Sequence, residues 1–456
     1  MPVSGQRRRW HAEYAWLPAN GVTRDVLIEA DGDRFSNVTA DVTEVPADAA
    51  RLRGLTLPGF ANAHSHAFHR ALRGATQAGR GTFWTWREIM YAVAARLDPD
   101  SYFRLARAVY AEMALAGVTC VGEFHYLHHQ AGGEPYADPN AMGRALVAAA
   151  AEAGLRITLL DTCYLAGGLN RDGIVPLAGP QLRFGDGDGD GWAARMASLA
   201  TDEHGLLSPY AQAGAAIHSV RAVPPEQMGP VIAWAHRYGA PLHAHLSEQV
   251  AENSACHEVY GVSPTRVLYD EEVLGPRTSV VHATHVSAAD IALLGGSQTY
   301  ACICPTTERD LGDGLAPSMR LAAAGCRLTL GSDSHAVIDI LEEARGVEYS
   351  ERLARQSRGV FDAPALLRAA CGDGHASLGW PDAGEITPGA WADLVTVSLG
   401  SVRTAGSPVL EAAVFCATAA DVRHVVAGGR DVVRDGSHVL VPDVPGELAA
   451  AIVAVL

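Results

Sequence analysis

Two histidines one residue apart, His64 and His66, follow an apolar run in this 456-residue chain. Alternate residues of an extended strand share a face, so both imidazoles can meet one ion. His245 ends a second apolar run, and Asp333 stands just after a third, in Gly331-Ser332-Asp333-Ser334-His335. Singly, each has a plain structural explanation: an accidental pair, a satisfied core histidine, a turn aspartate. Jointly, three imidazoles and one carboxylate make the ligand shell of a catalytic zinc, with water completing it. Iron competes for such a shell. A metal-polarised water at neutral pH is a hydrolytic reagent.

The elements that must position these residues follow one repeated pattern of apolar run, polar end and helical stretch. Eight runs read as strands: Leu55–Ala61, Val118–Phe124, Leu155–Asp161, Gly214–His218, Pro241–Leu246, Thr278–Ala283, Thr299–Cys304 and Arg327–Ser332. Helical periodicity fills the gaps, as in Tyr102–Leu115, Asn140–Ala153, Pro225–Tyr238 and Ala288–Leu294. Eight strands alternating with helices predict an α/β fold, a (β/α)8 TIM-type barrel. His64, His66, Glu123, Tyr126, His218, His245, His282 and Asp333 all fall at or just after strand ends, which in a parallel barrel converge on one face. Short strands with turns at both ends of the chain, such as Asp25–Ile28, Ala392–Val397 and Arg423–Val426, predict a small β-sandwich from both termini. The expected division is 1–54 and 385–456 for the sandwich, with a closing helix over Gly446–Leu456, and 55–384 for the barrel.

Composition narrows the partners. A formal charge of −16 argues against nucleic acid or an anionic membrane. No apolar run is long enough for a membrane span, and Arg7-Arg8-Arg9 has no apolar stretch behind it to make a signal peptide. Eight scattered cysteines suit reduced thiols in the cytoplasm. Cys302 and Cys304 alternate on one strand without a second pair, so a Cys-based zinc site is not expected. Asp186, Asp188 and Asp190 alternate with glycines, yet Ala197 stands where a calcium loop needs its bidentate acid. A solvated flexible loop is the expectation there.

Longer motifs point to a family. The chain resembles the amidohydrolase superfamily, and within it the formimidoylglutamate deiminases of histidine degradation, in Asn62–Phe68, Phe83-Trp84-Thr85-Trp86-Arg87, Glu123–Tyr126, Ala216–Arg221, His243–Gln249, Val281–His285 and Gly331–His335. The resemblance runs from about residue 9 to the end, in family order. It implies a barrel with a terminal β-sandwich, often dimeric, that hydrolyses N-formimino-L-glutamate to N-formyl-L-glutamate and ammonia. It makes His64, His66, His245 and Asp333 the zinc ligands, and Glu248 with His282 the acid/base pair. It makes Arg87, Tyr126, His218 and Arg221 the substrate-binding residues. His69 replaces the glutamine of the familiar motif, which leaves its own substrate contact open.

Elementary chemistry agrees with that resemblance. Many relatives bridge two metals through a carbamylated lysine, but all 35 basic residues here are arginine, so one metal per chain is expected. Attack on an amidinium carbon needs a base for the water proton and an acid for the departing nitrogen. Glu248 can serve as both, with Asp333 accepting a proton and His282 holding the developing tetrahedral centre. His282 ends its apolar run directly, whereas His285 lies further on and orients the neighbourhood. Two arginine forks suit a small dicarboxylate. Two rivals stay open: an aminohydrolase of a purine, pyrimidine or triazine ring, and a non-catalytic barrel scaffold.

Overall fold

The computed structural model describes residues 7–77, 83–200 and 208–456. Its centre is an eight-stranded parallel sheet in the order of the chain: Phe60–Ser65, Val118–His125, Arg156–Cys163, Ala211–Ile217, Leu242–Leu246, Thr278–His282, Tyr300–Ile303 and Leu328–Leu330. A parallel bridge from Ser65 to Asp333 joins the first strand to the segment after the eighth. The result is the TIM-type barrel expected from the eight runs. Seven of the strands are buried along their whole length, and Ala211–Ile217 is half-buried only at Gln212 and Ala213, as required when helices cover one face and side chains fill the other.

The first run is not one strand but two. Ala50–Pro58 belongs to the terminal sheet, and the barrel begins at Phe60. Pro58 has no N–H with which to continue the ladder. Gly59 then passes so close to Thr119 that a Cβ would stand 2.3 Å from its Oγ1. Freed from one sheet, the chain starts a second: the Phe60 N–H donates to Gly117 O at 3.1 Å. The terminal sheet therefore reaches past the boundary expected between 54 and 55.

That sheet has eight strands, four from each end of the chain. The halves meet where Leu394–Val397 runs antiparallel to Ala50–Pro58, Val395 opposite Leu57. Trp10, Ile28, Phe35 and Leu394 bury their side chains in its own apolar core, giving the sandwich-like unit. The closing helix is Val444–Val453, capped by Asp443.

The helices follow local signals. Pro99–Leu115 starts at a reciprocal cap between Asp98 and Ser101 and buries Tyr102, Leu105 and Val109. Ala141–Ala153 stops at Gly154, whose left-handed φ of 82° suits glycine. The aspartate-rich segment is corrected by the structure. The Asp186 side chain is only 6% exposed and accepts from His129 Nε2 at 2.9 Å and Arg195 Nε at 2.8 Å. Asp190 opens the helix Gly189–Ala200. Arginine supplies the charge that balances Asp186, so this part of the segment is packed, whereas Asp188 and Asp190 remain exposed.

Candidate active site

The barrel closes at the residues that could hold a metal. The Asp333 N–H donates to His64 O at 3.0 Å. Gly331 permits this approach, because a Cβ there would lie 2.7 Å from that of His64. Strand ends are also where the backbone is strained: Ser247, His282, Ala283, Asp333 and His335 all have positive φ without being glycine. Such strain persists only where the surroundings impose it and clusters at working sites.

Four ligand atoms, one each from buried His64, His66, His245 and Asp333, lie within 4.8 Å of one another. Nε2 of His245 is 3.1 Å from Nε2 of His64. Asp333 Oδ1 lies 3.3 Å from His64 Nε2 and 3.4 Å from His66 Nε2. The Nδ1 of His66 donates to Phe124 O at 2.9 Å, and that of His245 to His218 O at 3.0 Å. A carbonyl only accepts, so in these two rings Nδ1 carries the proton and Nε2 presents a lone pair. Burial holds the His66 pKa down to about 3 and that of His245 well below its ordinary value, favouring neutral ligands. Burial would raise the Asp333 pKa, but His64, His282 and His66 outweigh it and hold the carboxyl ionised.

His282 stands among carboxylates. Its Nε2 is 3.8 Å from Glu248 Oε1 and 3.7 Å from Asp333 Oδ2, and its Nδ1 is 3.5 Å from Glu308 Oε1. Burial opposes charge on this ring, yet the carboxylates prevail and raise its pKa to about 10. His285 turns elsewhere, its Nε2 donating to Asp313 O at 2.8 Å.

These groups open on a cavity of about 240 Å³. Its lining includes every one of the expected substrate-binding residues: His69, Arg87, Tyr126, His218 and Arg221. His69 Nε2 and the Tyr126 hydroxyl are 3.0 Å apart, and His69 packs edge-on to Trp86. Arg87 donates from Nη2 to Gly167 O at 2.8 Å and from Nε to the Tyr91 hydroxyl. Arg221 reaches Glu248 and Glu252. A metal-ligand cluster, an acid/base candidate and two guanidinium groups thus share one chamber at the carboxyl ends of the strands.

The profile of the amidohydrolase family matches residues 55–432. The chain belongs to this family. It is 37% identical to formimidoylglutamate deiminase of Pseudomonas aeruginosa over 442 residues, spanning 94% of this chain and 95% of that protein. An 8-oxoguanine deaminase of the same organism is 30% identical, spanning 84% of this chain and 83% of its own. A solved amidohydrolase from Brucella melitensis superposes with a TM-score of 0.90 at 32% identity, covering 98% of this chain and 99% of its own. Like its relatives, this amidohydrolase is a hydrolase of C–N bonds.

At the amidohydrolase site the sequence marks Glu123 by its strand-end position without giving it a role, and does not mark Glu252, Glu308 or Gln181. Glu123 accepts from Ser65 Oγ and the Ala67 N–H, both at 2.7 Å, and so braces the backbone on either side of His66. Burial raises its pKa to about 7. Glu252 holds Arg221, and Glu308 faces His282. Gln181 Nε2 donates to the Tyr91 hydroxyl at 2.9 Å and to Gly167 O at 3.1 Å, the two groups that hold Arg87. The signal available was the strand-end position of Glu123; nothing local marks the other three. Within the Phe83–Arg87 motif, the side chains of Phe83 and Trp84 lie outside the described residues.

Proposed function

We propose that this amidohydrolase hydrolyses N-formimino-L-glutamate to N-formyl-L-glutamate and ammonia, with one zinc per chain held by His64, His66, His245 and Asp333. The carrying observation is that Arg87 and Arg221 line the same cavity as Glu248, His282 and Asp333. The donor set suits a metal: two ring nitrogens 3.1 Å apart, one of them with its proton committed to a carbonyl, need a cation or a proton between them. When bound, the ion polarises water and lowers its pKa towards 7.

The rest falls to the protein. Arg87 and Arg221 take the two carboxylates, and Tyr126 and His218 donate hydrogen bonds beside them. His69, paired with Tyr126, shapes the same wall. Glu248 removes a proton from the attacking water as the new C–O bond forms. The same carboxyl then protonates the formimino nitrogen, the C–N bond breaks, and ammonia leaves. His282 holds the developing tetrahedral centre, and Asp333 accepts a proton during the transfer.

The reading places the reaction in histidine degradation, in the cytoplasm, by a homodimer, as the resemblance implies. All eight cysteines are free, which suits a reducing compartment. Among the described residues no helix is long and apolar enough to cross a membrane. A second reading, a ring aminohydrolase, draws on the aromatic lining of Trp86, Tyr126 and Tyr164 and on the 8-oxoguanine deaminase. Two arginines in the chamber favour the dicarboxylate. The test is ammonia release from N-formimino-L-glutamate against adenine, guanine and cytosine derivatives. Faster turnover of a ring overturns the proposal.

A further inference from the structure

We propose that His282, Cys304 and Asp333 form a second, thiophilic metal site beside the four-ligand centre, and that a cation bound there switches the hydrolase off. The inference rests on the reading of the first centre given above. Cys304 was set aside in the sequence for want of a second cysteine pair; the fold supplies an imidazole and a carboxylate instead. One ligand atom from each of the three residues lies within 4.8 Å of the other two, and all three residues are buried. His282 ends the sixth barrel strand, and Cys304 and Asp333 follow the seventh and eighth by one and three residues.

The carboxylate of Asp333 is divided between the sites. Its Oδ1 faces His64 and His66, whereas Oδ2 faces His282 Nε2 at 3.7 Å. Cys304 is pressed against the first centre: its Sγ would lie 3.0 Å from a Cβ on Gly331, which would also meet His64. On the other side, His282 Nδ1 is buried and without a hydrogen-bond partner among the described residues. Glu308 Oε1 stands 3.5 Å from that nitrogen, and it also accepts the Cys304 N–H at 3.1 Å. A nitrogen, a sulfur and an oxygen donor, with Glu308 placed to hold the opposite ring nitrogen of His282, suit a borderline or soft divalent ion such as zinc or cadmium rather than magnesium or calcium. When the ion binds, the Cys304 thiol and the protonated His282 ring each give one proton to solvent, and no electrons change hands. Occupation takes His282 out of the reaction and draws Asp333 towards the second ion, so the loaded protein is inhibited.

The test adds cadmium to protein already holding one zinc, and follows three signals: metal content after desalting, the ultraviolet charge-transfer band of a cadmium thiolate, and ammonia release. Wild type is expected to keep its zinc, gain one cadmium with the thiolate band, and lose activity. Cys304→Ser and Cys304→Ala should keep basal activity, lack the band, and need at least about 10- to 100-fold more cadmium for the same inhibition. A band of equal strength in both variants, inhibition at the same cadmium level, or cadmium replacing zinc without a band overturns the proposal. Metal content and the band are read without substrate, so a wrong substrate assignment leaves this test intact.

Discussion

Arg221 bridges two carboxylates of the site: its Nη2 donates to Glu248 Oε2 at 3.2 Å, while Nε lies 3.1 Å from Glu252 Oε2. Glu252 is buried and also accepts the Ser247 N–H at 3.0 Å. The guanidinium is therefore fixed from behind by one carboxylate, and it touches the proposed acid/base group with its outer edge. A substrate carboxylate reaching Arg221 shares that fork with Glu248.

Arg221→Met should weaken binding of N-formimino-L-glutamate by about 2–5 kcal/mol, since it removes a buried charged partner. Steady-state kinetics should show this mainly in KM, and far less for a monocarboxylate analogue. Equal losses on the two compounds would mean that Arg221 does not read charge.

Glu123 tests the support of the metal centre. Glu123→Ala removes the acceptor for Ser65 and Ala67, on either side of His66. Outer partners of this kind are worth about 10- to 100-fold in metal affinity. Chelator competition should show that loss, with Glu123→Gln recovering much of it. Unchanged affinity in the alanine variant would make Glu123 a packing residue only.

Elemental analysis of the protein as purified, without added metal, should return one equivalent per chain. The absence of lysine removes the carbamate bridge of a two-metal centre. Two equivalents under those conditions would contradict this.

The Asp161–Arg195 pair sets an acid limit on stability. Burial would raise the Asp161 pKa, but Arg195, 2.7 Å away, and His128 hold it at about 2 against an ordinary 3.8. The folded state thus binds fewer protons than the unfolded chain between these values. Its contribution, about 2 kcal/mol, is complete above the unfolded pKa and is lost as pH falls through about 2. Arg195→Met strands Asp161 and Asp186 together and should cost about 3–5 kcal/mol at neutral pH. Urea unfolding across the acid range checks both; a variant as stable as wild type at neutral pH would dismiss the pair.

The barrel was legible because each strand is a short apolar run ending in a polar residue, and period alone places those ends together. The same placement brings His64, His66, His245 and Asp333 together as a group that could hold a metal. Local pattern misjudged two segments. Leu55–Ala61 reads as one run, because hydrophobicity is blind to the missing N–H of Pro58 and the close approach at Gly59. The Asp186 segment reads as solvated, because its partners, Arg195 and His129, are set by helix packing rather than by neighbouring residues. Glu252, Glu308 and Gln181 were silent for the same reason: each acts on a residue from another element or loop of the fold.

The most direct measurement of the central claim is product analysis on N-formimino-L-glutamate with the metal-loaded protein. One ammonia and one N-formyl-L-glutamate are expected per substrate consumed, with no comparable ammonia release from aminopurines or aminotriazines. Release of ammonia from a ring compound with the formimino acid left intact would contradict it.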